Sequence, residues 1–348
     1  MNFSGEIINW YSANKRDLPW RSTTDPYIIW LSEIIMQQTR VDQGTPYFHR
    51  FAENYPTVSD FASASEDEIL KLWQGLGYYS RGRNMHHTAQ IVMEEHGGYF
   101  PKKYDELIKL KGVGEYTAAA ISSFSNNEAK AVVDGNVFRL LARFYGIDTP
   151  INTGEGKKQF TILANKIMDK THAGIYNQAV MEFGSLQCKP VNPDCKICPL
   201  ISECEAYRHN KVDLLPVKIK AKKVRDRYFN YLVLNENHKF LIHKRSLSDI
   251  WQNLYEFPLI ETHSPSGAET ILNSEEFKLL LGENFEIKRI HNTLKHLLSH
   301  QKLHIQFIEI IKKTEFIVQN PEYFFADENE LKQLAQPKVI FEFLKKFF

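Results

Sequence analysis

Two helical patterns meet at a glycine turn in residues 107–121, whose sequence is LIKLKGVGEYTAAAI. Gly112 and Gly114 flank a single apolar residue, a pattern typical of a tight turn. The helix predicted after Gly114 begins with backbone N–H groups that have no acceptor within the helix, and its dipole is positive at that end. Such a helix start can bind a phosphate group. The alternative is a turn that only connects two helices.

The sequence around this turn is predicted to be helical from residue 1 to residue 205. Apolar residues recur at intervals of three and four within Ile28–Ile35 and again within Val137–Phe144, the period of a helix with one buried face. Glycine turns separate the helical patterns. These residues therefore predict an all-α domain of many helices.

The composition changes after Cys204. Residues 211–227 contain seven Lys or Arg against two Asp, with one proline, which predicts a basic linker. Beyond it, runs rich in β-branched and aromatic residues predict strands at Tyr228–Leu234, Phe240–His243 and Leu303–Ile311. Helical patterns occur at 274–281 and 338–347. Residues 228–348 are therefore expected to form an α+β domain.

The length of 348 residues is more than one ordinary domain requires. With 43% hydrophobic and 24% charged residues, a folded chain is expected rather than a disordered one. There is no apolar run of ~18 residues for a membrane span, and the first residues lack the basic-then-apolar order of a secretory signal. A cytoplasmic location is the resulting expectation. The net charge of +1 does not by itself indicate a nucleic-acid binder, although one face can still be basic.

All four cysteines lie in one short stretch, Cys188-x6-Cys195-x2-Cys198-x5-Cys204. Such clustering in a cytosolic chain indicates a metal centre rather than disulfides. Four thiolates can hold a structural zinc ion or a [4Fe–4S] cluster, and the spacing alone does not distinguish them. Lys189 and Lys196 lie inside this loop, where they can contact phosphate or remain solvated.

Two carboxylates lie in contrasting contexts. Glu33 is in a helix predicted at Tyr27–Arg40 and shares a face with Trp30 and Met36, so partial burial should raise its pKa. Asp134 precedes a second helical pattern and is an expected N-cap, whose pKa the helix end should lower. The alternatives are a solvated glutamate and an ordinary capping aspartate. A protonated acid beside an anion is the pair that cleavage of an N-glycosidic bond needs.

The hairpin, the cysteine spacing and two further segments together resemble a known family. The two segments are LSEIIMQQTRV at residues 31–41 and VDGNVFRLLAR at residues 133–143. The chain resembles the adenine DNA glycosylases of the helix–hairpin–helix superfamily, which includes endonuclease III, over nearly its whole length. The resemblance implies that the four cysteines hold a [4Fe–4S] cluster and that the hairpin positions a DNA duplex without reading its sequence.

The same resemblance implies roles for single residues. Glu33 would protonate adenine at N7, Asp134 would stabilise the cationic sugar, and Asn136 would help to hold the sugar side of the pocket. Endonuclease III-like enzymes have a lysine at the position of Tyr116, and that lysine forms a Schiff base that permits strand cleavage. Tyr116 cannot form an imine, so a monofunctional glycosylase that leaves an abasic site is expected. The alternative for Tyr116 is an aromatic that only packs between helices.

The base must leave the duplex before such an enzyme can act on it. Gln38, Leu76 and Tyr78 match intercalating elements of the family, and the glycines of the segment GLGYYSR, residues 75–81, would let the latter two act as wedges. Taken alone, that segment would be an aromatic loop packed on the core. Arg16 and Trp20 would lie near the extruded adenine.

By the same resemblance, residues 228–348 form a Nudix-like domain that recognises 8-oxoguanine. The glutamate-rich helix of Nudix hydrolases is missing from the sequence, so binding rather than pyrophosphate hydrolysis is expected. Leu298, Ser299 and His300 stand where the family often has Phe-Ser-His. Ser299 and His300 can still hydrogen-bond the lesion or a phosphate, whereas Leu298 lacks the aromatic ring. His296 and His304 are expected on strand faces rather than in a metal site.

The resulting expectation is a monomeric base excision repair enzyme acting on double-stranded DNA with adenine opposite 8-oxoguanine or guanine, in the cytoplasm and associated with the nucleoid. Its predicted parts are a helical glycosylase domain at 1–210, with a six-helix barrel at about 20–130 and a cluster part at 1–19 and 131–210, then the linker and the Nudix-like domain.

Two alternatives remain open. The first is a pyrimidine or T/G-mismatch glycosylase of the same superfamily, which Tyr116 and the second domain argue against. The second is a non-enzymatic iron–sulfur DNA-binding protein, which the presence of both Glu33 and Asp134 argues against.

Overall fold

The structure is a computed structural model that describes residues 2–220, 224–246, 249–313 and 320–348. The chain folds into two compact units. The helical unit consists of Met1–Ala64 and Asn84–Lys220, and the sheet unit of Ser65–Arg83 and Ala221–Phe348. A short segment from within the predicted helical domain thus belongs to the sheet unit. The boundaries given above for the glycosylase domain, linker and Nudix-like domain stay predictions.

Regular elements follow the predicted change from helix to sheet along the chain. The helices are α1 (Phe3–Asn14), α2 (Pro26–Ile35), α3 (Val41–Asn54), α4 (Val58–Ser63), α5 (Glu66–Trp73), α6 (Ser80–His96), α7 (Tyr104–Leu107), α8 (Glu115–Asn126), α9 (Gly135–Tyr145), α10 (Gly154–Ile167), α11 (Ala173–Leu186), α12 (Glu205–Arg208), α13 (Ala268–Leu272), α14 (Glu275–Leu281), α15 (Glu328–Gln333) and α16 (Lys338–Leu344). The strands are β1 (Arg225–Glu236), β2 (Lys239–Lys244), β3 (Tyr255–Glu256), β4 (Leu259–Thr262), β5 (Phe285–Ile290), β6 (Leu294–Leu297), β7 (Gln301–Lys312) and β8 (Tyr323–Ala326). Among the described helices, none combines the length and apolar character that a membrane span requires.

The helix that carries Glu33 is shorter than predicted. Helix α2 begins where Asp25 accepts a hydrogen bond from the backbone N–H of Tyr27 and Pro26 occupies the first turn. It ends at Ile35, so the prediction of a helix up to Arg40 is wrong. Gln38 has a φ of +54°, a left-handed conformation that cannot continue a right-handed helix.

One core of the helical unit lies among α1, α8, α9 and α11. Buried apolar side chains from these helices include Ile7, Leu141 and Phe183. Burial of such side chains contributes about 2 kcal/mol each to folding. This core fixes α8 and α9, whose first turns carry Tyr116 and Asp134, in one rigid arrangement.

The sheet unit is built on a parallel pair of long strands. Strands β1 and β7 run parallel from the pair Arg225–Gln301 to the pair Leu234–Ile310. The other pairings are antiparallel: β4 and β2 on β1, β5 and β6 on β7, and β3 and β8 on β2. The middle of β1 is buried continuously, as expected for a strand covered on both faces. The predicted strands and the helix at 274–281 are confirmed, and the helix predicted at 338–347 is confirmed over Lys338–Leu344.

The segment predicted as a linker, 211–227, is partly bound to the helical unit. Asn152 donates to the carbonyl of Ile219 over 2.8 Å and accepts from its N–H over 2.9 Å. Strand β1 already begins at Arg225. Residues 221–223 lie outside the described ranges.

Candidate active site

The glycine turn that opens α8 has the predicted form. Gly112 has a φ of +79°, and a Cβ there would lie 2.9 Å from Cβ of Asn84, so a larger residue would be both strained and crowded. Gly114 is the N-cap of α8, and a Cβ there would meet nothing within 4 Å. Because glycine offers no capping side chain, the N–H groups of the first turn of α8 are left for an external acceptor. A DNA phosphate would be such an acceptor.

Glu33 is buried within α2, with 9% of its surface exposed. Burial raises the pKa of Glu33 to about 7, because it disfavours the charged form. The hydroxyl of Tyr116 donates to Oε2 of Glu33 over 2.7 Å and opposes this rise, whereas the charge of Asp134 adds to it. Glu33 is thus a carboxylic acid that keeps a proton at near-neutral pH, as the sequence predicted.

Asp134 caps helix α9, as predicted. Its Oδ1 accepts from the backbone N–H groups of Asn136 over 2.9 Å and Val137 over 2.8 Å, and its Oδ2 accepts from the Asn136 side chain over 2.8 Å. The prediction of a lowered pKa is wrong. Burial raises the pKa of Asp134 above its ordinary value, and the three hydrogen bonds offset this only in part.

Asn136 connects Asp134 to the cysteine loop. While its Nδ2 binds Asp134, its Oδ1 accepts from Nη2 of Arg139 over 2.9 Å. Arg139 also donates from Nε to the carbonyl of Cys188 over 2.8 Å and from Nη2 to that of Gly184 over 2.6 Å. A continuous chain of hydrogen bonds therefore runs from the carboxylate at the start of α9 to the first of the clustered cysteines.

Arg16 is engaged by a buried acid that the sequence analysis did not identify. Glu182, in α11, is 1% exposed and receives paired hydrogen bonds from Arg16 and from Arg21. Burial opposes its ionisation, but these hydrogen bonds prevail and lower the pKa of Glu182 to about 2. The signal for Glu182 was a lone acid inside the apolar pattern of α11. Arg16 is thus positioned by Glu182, and its predicted place beside the adenine stays a prediction.

Two other residues predicted near the base or the duplex are accessible. Trp20 is partly exposed and packs edge-on against Phe48, with the ring centroids 5.1 Å apart. Gln38 is exposed in the left-handed turn after α2. Both belong to the helical unit, and their roles stay predictions.

The predicted wedge and the predicted lesion loop belong to the same sheet unit. Tyr78, left-handed at φ +49° directly after the left-handed Gly77, is 46% exposed, and its hydroxyl is hydrogen-bonded to that of Ser299. Leu76 is 7% exposed, so it is packed into the protein in this structure. The sequence separation of Tyr78 and Ser299 hid this contact.

A cavity of about 510 Å³, partly open to solvent, lies beside this contact. Leu298, Ser299 and His300, in the β6–β7 turn, line it together with Tyr78 and Trp251. Ser299 and His300 are exposed, and Leu298 is partly buried. The cavity thus has polar groups at its rim and a large aromatic ring in its wall.

The segment that carries Tyr78 is fastened within the sheet unit by α5. Asp67 accepts from Nζ of Lys244 over 2.6 Å and from the hydroxyl of Tyr255 over 3.1 Å. Lys71 donates to the carbonyl of Leu334 over 3.0 Å. These contacts were not predicted, because their partners lie more than 170 residues apart in the sequence.

The histidines of the sheet unit lie in separate places. His296, in β6, contacts the ring of Trp251, and burial lowers its pKa. His304, in β7, stacks on Tyr228 and is 2.7 Å from a carboxylate oxygen of Asp226.

The four cysteines line one cavity of the helical unit. It contains about 380 Å³ of space not filled by atoms, some of it open to solvent, and its wall is formed by apolar side chains, the guanidinium of Arg143 and the four cysteines Cys188, Cys195, Cys198 and Cys204. Arg143 lies 3.5 Å from Sγ of Cys188, and backbone N–H groups are directed at the sulfurs of Cys198 and Cys204. Within the described ranges, no three His, Cys, Asp or Glu side chains form a closed metal site. The apolar wall, cation and N–H donors nevertheless suit a group held by several thiolates. Lys189 and Lys196 are exposed on this loop.

A glycine hairpin with unpaired helix N–H groups, a buried acid and a helix-capping carboxylate are together typical of a DNA glycosylase of the helix–hairpin–helix class. Residues 31–170 match the HhH-GPD superfamily of base excision DNA repair proteins, and residues 230–346 match the NUDIX domain. The chain is 36% identical over 314 residues to the adenine DNA glycosylase of Buchnera aphidicola subsp. Baizongia pistaciae, which covers 89% of this chain and 86% of that protein. Against the adenine DNA glycosylase of Buchnera aphidicola subsp. Acyrthosiphon pisum it is 32% identical, covering 99% and 97%. The solved structure of a thermostable thymine-DNA glycosylase has a TM-score of 0.56 and 27% identity, covering 60% of this chain and 95% of that one. The chain belongs to the adenine DNA glycosylase family.

Proposed function

We propose that this protein removes adenine that is mispaired with 8-oxoguanine, or with guanine, from double-stranded DNA and leaves an abasic site. The observation that carries the proposal is the buried acid Glu33, hydrogen-bonded to Tyr116 and within electrostatic reach of Asp134. It is supported by the family to which the chain belongs. The protein would act as a monomer on DNA of the nucleoid.

In this mechanism the proton of Glu33 passes to N7 of the extruded adenine. The N-glycosidic bond then breaks, and its electron pair leaves with the base. Asp134, held as an acceptor by three N–H donors, stabilises the positive charge that develops on the sugar, while Asn136 keeps that carboxylate in place. Water adds to C1′ and loses a proton, which completes the hydrolysis.

The nucleophile in this proposal is water rather than a side-chain amine. By the family resemblance, Tyr116 stands where endonuclease III-like enzymes have a lysine that forms a Schiff base, and its hydroxyl contacts Glu33. A phenol cannot form an imine, so the DNA strand is not cleaved. The enzyme is therefore proposed to be monofunctional, with Tyr116 lining the pocket.

The duplex would be held by both units. We assign the backbone contact to the hairpin at Gly112 and Gly114, and the filling of the vacated stack to Gln38, Leu76 and Tyr78. Arg16 and Trp20 would border the extruded adenine. The opposite 8-oxoguanine would be recognised in the Nudix-like domain by Ser299, His300 and Leu298, beside Tyr78, whose hydroxyl already contacts Ser299.

The four cysteines would hold a [4Fe–4S] cluster. Bound there, the cluster would cross-link the loop after α11 through its iron–sulfur bonds. The chain's own contribution is the fixation of that loop, because Arg139 and Arg143 donate to carbonyls of Cys188 and Lys189.

The test is single-turnover excision on matched duplexes that carry adenine opposite 8-oxoguanine, adenine opposite guanine, or thymine opposite guanine. We expect excision of adenine, fastest opposite 8-oxoguanine, with strand breaks only after alkaline treatment. Glu33→Gln and Asp134→Asn should bind the duplex but lose excision. Excision of thymine without excision of adenine would favour a mismatch glycosylase, and an unchanged rate for Glu33→Gln would refute the catalytic assignment.

A further inference from the structure

The hydroxyl of Tyr116 lies between a carboxyl group and a thioether. It is 2.7 Å from Oε2 of Glu33 and 3.9 Å from Sδ of Met181. The three side chains come from three helices of the helical unit, α8, α2 and α11. The proposed reaction gives Met181 no role, although Met181 precedes Glu182 and contacts Tyr116, the hydrogen-bond partner of Glu33.

The protonation state of Glu33 decides whether the Tyr116 hydroxyl needs the Met181 sulfur as a hydrogen-bond acceptor. Burial raises the pKa of Tyr116 well above 10, so its hydroxyl carries a proton throughout the working range. While Glu33 is ionised, that proton is donated to Glu33. Once Oε2 of Glu33 is protonated, Glu33 donates to the Tyr116 oxygen, and the proton of Tyr116 needs another acceptor. A thioether sulfur is a weak acceptor, and that of Met181 lies within reach.

We propose that the thioether of Met181 is a positioning group that accepts the Tyr116 hydroxyl while Glu33 carries the proton destined for the base. The inference rests on the proposed function, because it takes Glu33 as the acid. While Glu33 is protonated, Glu33 donates a hydrogen bond to the Tyr116 oxygen, and the Tyr116 hydroxyl donates one to the Met181 sulfur. In the ionised state Tyr116 turns back towards Glu33.

A different arrangement of the same atoms gives the sulfur no role. If the proton of Glu33 sits on Oε1, Tyr116 can continue to donate to Oε2 in both states. The charged groups that act on Glu33 from neighbouring elements are Asp134, which raises its pKa, and Arg21, which lowers it and is held by Glu182. These groups are retained when only Met181 is changed, so the two arrangements can be distinguished.

The test is the pH dependence of single-turnover excision, from pH 5 to pH 9, on a duplex with adenine opposite 8-oxoguanine. Met181→Leu keeps the side-chain volume and removes the sulfur. We expect the pH at which the rate falls to move down by about half a unit, which lowers the rate on the alkaline side about threefold and leaves the acid plateau unchanged. Met168→Leu, buried elsewhere in the helical unit, should leave the profile unchanged.

Two further variants separate sulfur from packing. Met181→Ile, which also lacks sulfur, should give the same shift. In a Tyr116→Phe background, Met181→Leu should produce no shift, because the hydroxyl that binds the sulfur is missing. The pH dependence of the free energy of unfolding allows the same comparison without catalysis.

An identical profile for the unaltered protein and Met181→Leu would overturn the role of Met181, as would an equal shift in the Tyr116→Phe background. Failure of the unaltered protein to release adenine at any pH would instead contradict the proposed function. The two failures are therefore distinguishable.

Discussion

Glu33 and Asp134 are both buried carboxyl groups, but their hydrogen-bond partners differ in whether they can accept a hydrogen bond from the protonated form. Asp134 faces three N–H donors, none of which can accept a hydrogen bond. Glu33 faces the hydroxyl of Tyr116, which can donate or accept. When Glu33 is protonated, its hydrogen bond to Tyr116 can be kept by rotation of one O–H group. When Asp134 is protonated, the proton must occupy one of the few carboxylate lone pairs that the three N–H donors leave free. The division between acid and anion follows from partner chemistry, although burial raises the pKa of both groups.

Removal of the Glu33 charge should change stability in a pH-dependent way. The folded protein keeps the Glu33 proton up to pH about 7, whereas the unfolded chain loses it near the ordinary value of 4.5. The stability contributed by this group therefore falls as the pH rises from 4.5 to 7. Glu33→Gln should be more stable than the unaltered protein at pH 8, by up to about 3 kcal/mol, and equally stable at pH 4.

Denaturant unfolding of both proteins at pH 4, 6 and 8 measures this difference. Glu115→Gln, an exposed residue of α8, is the control and should show no such trend. A constant difference across the three pH values would mean that folding does not raise the pKa of Glu33.

Helix α9 is the element that joins the candidate catalytic carboxylate to the cysteine loop. Its N-cap is Asp134, and one face of its body carries Arg139 and Arg143. These two arginines donate to backbone carbonyls around Cys188 and to Asn136. Because the residues of a helix move together, a shift of the cysteine loop can displace the first turn of α9, which Asp134 caps.

Loss of Arg139 should therefore affect both ends of α9. Arg139→Met removes four hydrogen bonds and leaves the buried carbonyl of Gly184 without this donor. We expect a loss of about 2–4 kcal/mol in the free energy of unfolding, a fall of about tenfold or more in single-turnover excision, and reduced visible absorbance from the cluster proposed for the four cysteines. Arg50→Met, which changes an exposed arginine of α3 that lies over the ring of Tyr47, should change none of these.

If Arg139→Met retained both excision and visible absorbance, the hydrogen bonds of Arg139 would not be needed for catalysis or for binding of the cluster. Loss of absorbance with full excision would show that α9 does not transmit the state of the loop.

Across the whole molecule, the candidate chemistry and the candidate lesion recognition lie in different units. Glu33, Tyr116 and Asp134 belong to the helical unit, whereas Tyr78 and Ser299 belong to the sheet unit. The segment Ser65–Arg83 is the exception to the chain order, because it leaves the helical part of the sequence to pack with the strands. The proposed wedge at Tyr78 and the proposed lesion loop at Ser299 thereby belong to one compact unit.

This division predicts that a substitution in the sheet unit can weaken lesion recognition without slowing the excision chemistry of the helical unit. Ser299→Ala removes the hydroxyl that contacts Tyr78 and should reduce the preference for 8-oxoguanine over guanine by about fivefold, since one hydrogen bond contributes about 1 kcal/mol. The excision of adenine opposite guanine should stay the same. Single-turnover rates on the two duplexes give the ratio, and Ser266→Ala is the matched control. A proportional fall on both duplexes would mean that Ser299 supports folding or general binding instead.

Much of the candidate site was predictable because its signals are local. The cap at Asp134, the turn at Gly112, the four cysteines and the helical pattern around Glu33 each depend on residues within a few positions of one another. Spacing, capping preference and glycine conformation are properties of a short stretch of chain, so these features could be predicted from the order of the residues alone.

Other features were decided by the tertiary structure alone. The pKa of Asp134 depends on how deeply the whole fold buries it, and burial outweighs the local effect of the helix end. The partners of Glu182, the packing of Ser65–Arg83 with the strands and the contact of Met181 with Tyr116 join residues that are far apart in sequence. Solvent exclusion and long-range contact arise only when the chain closes on itself, and no short stretch of sequence carries that information.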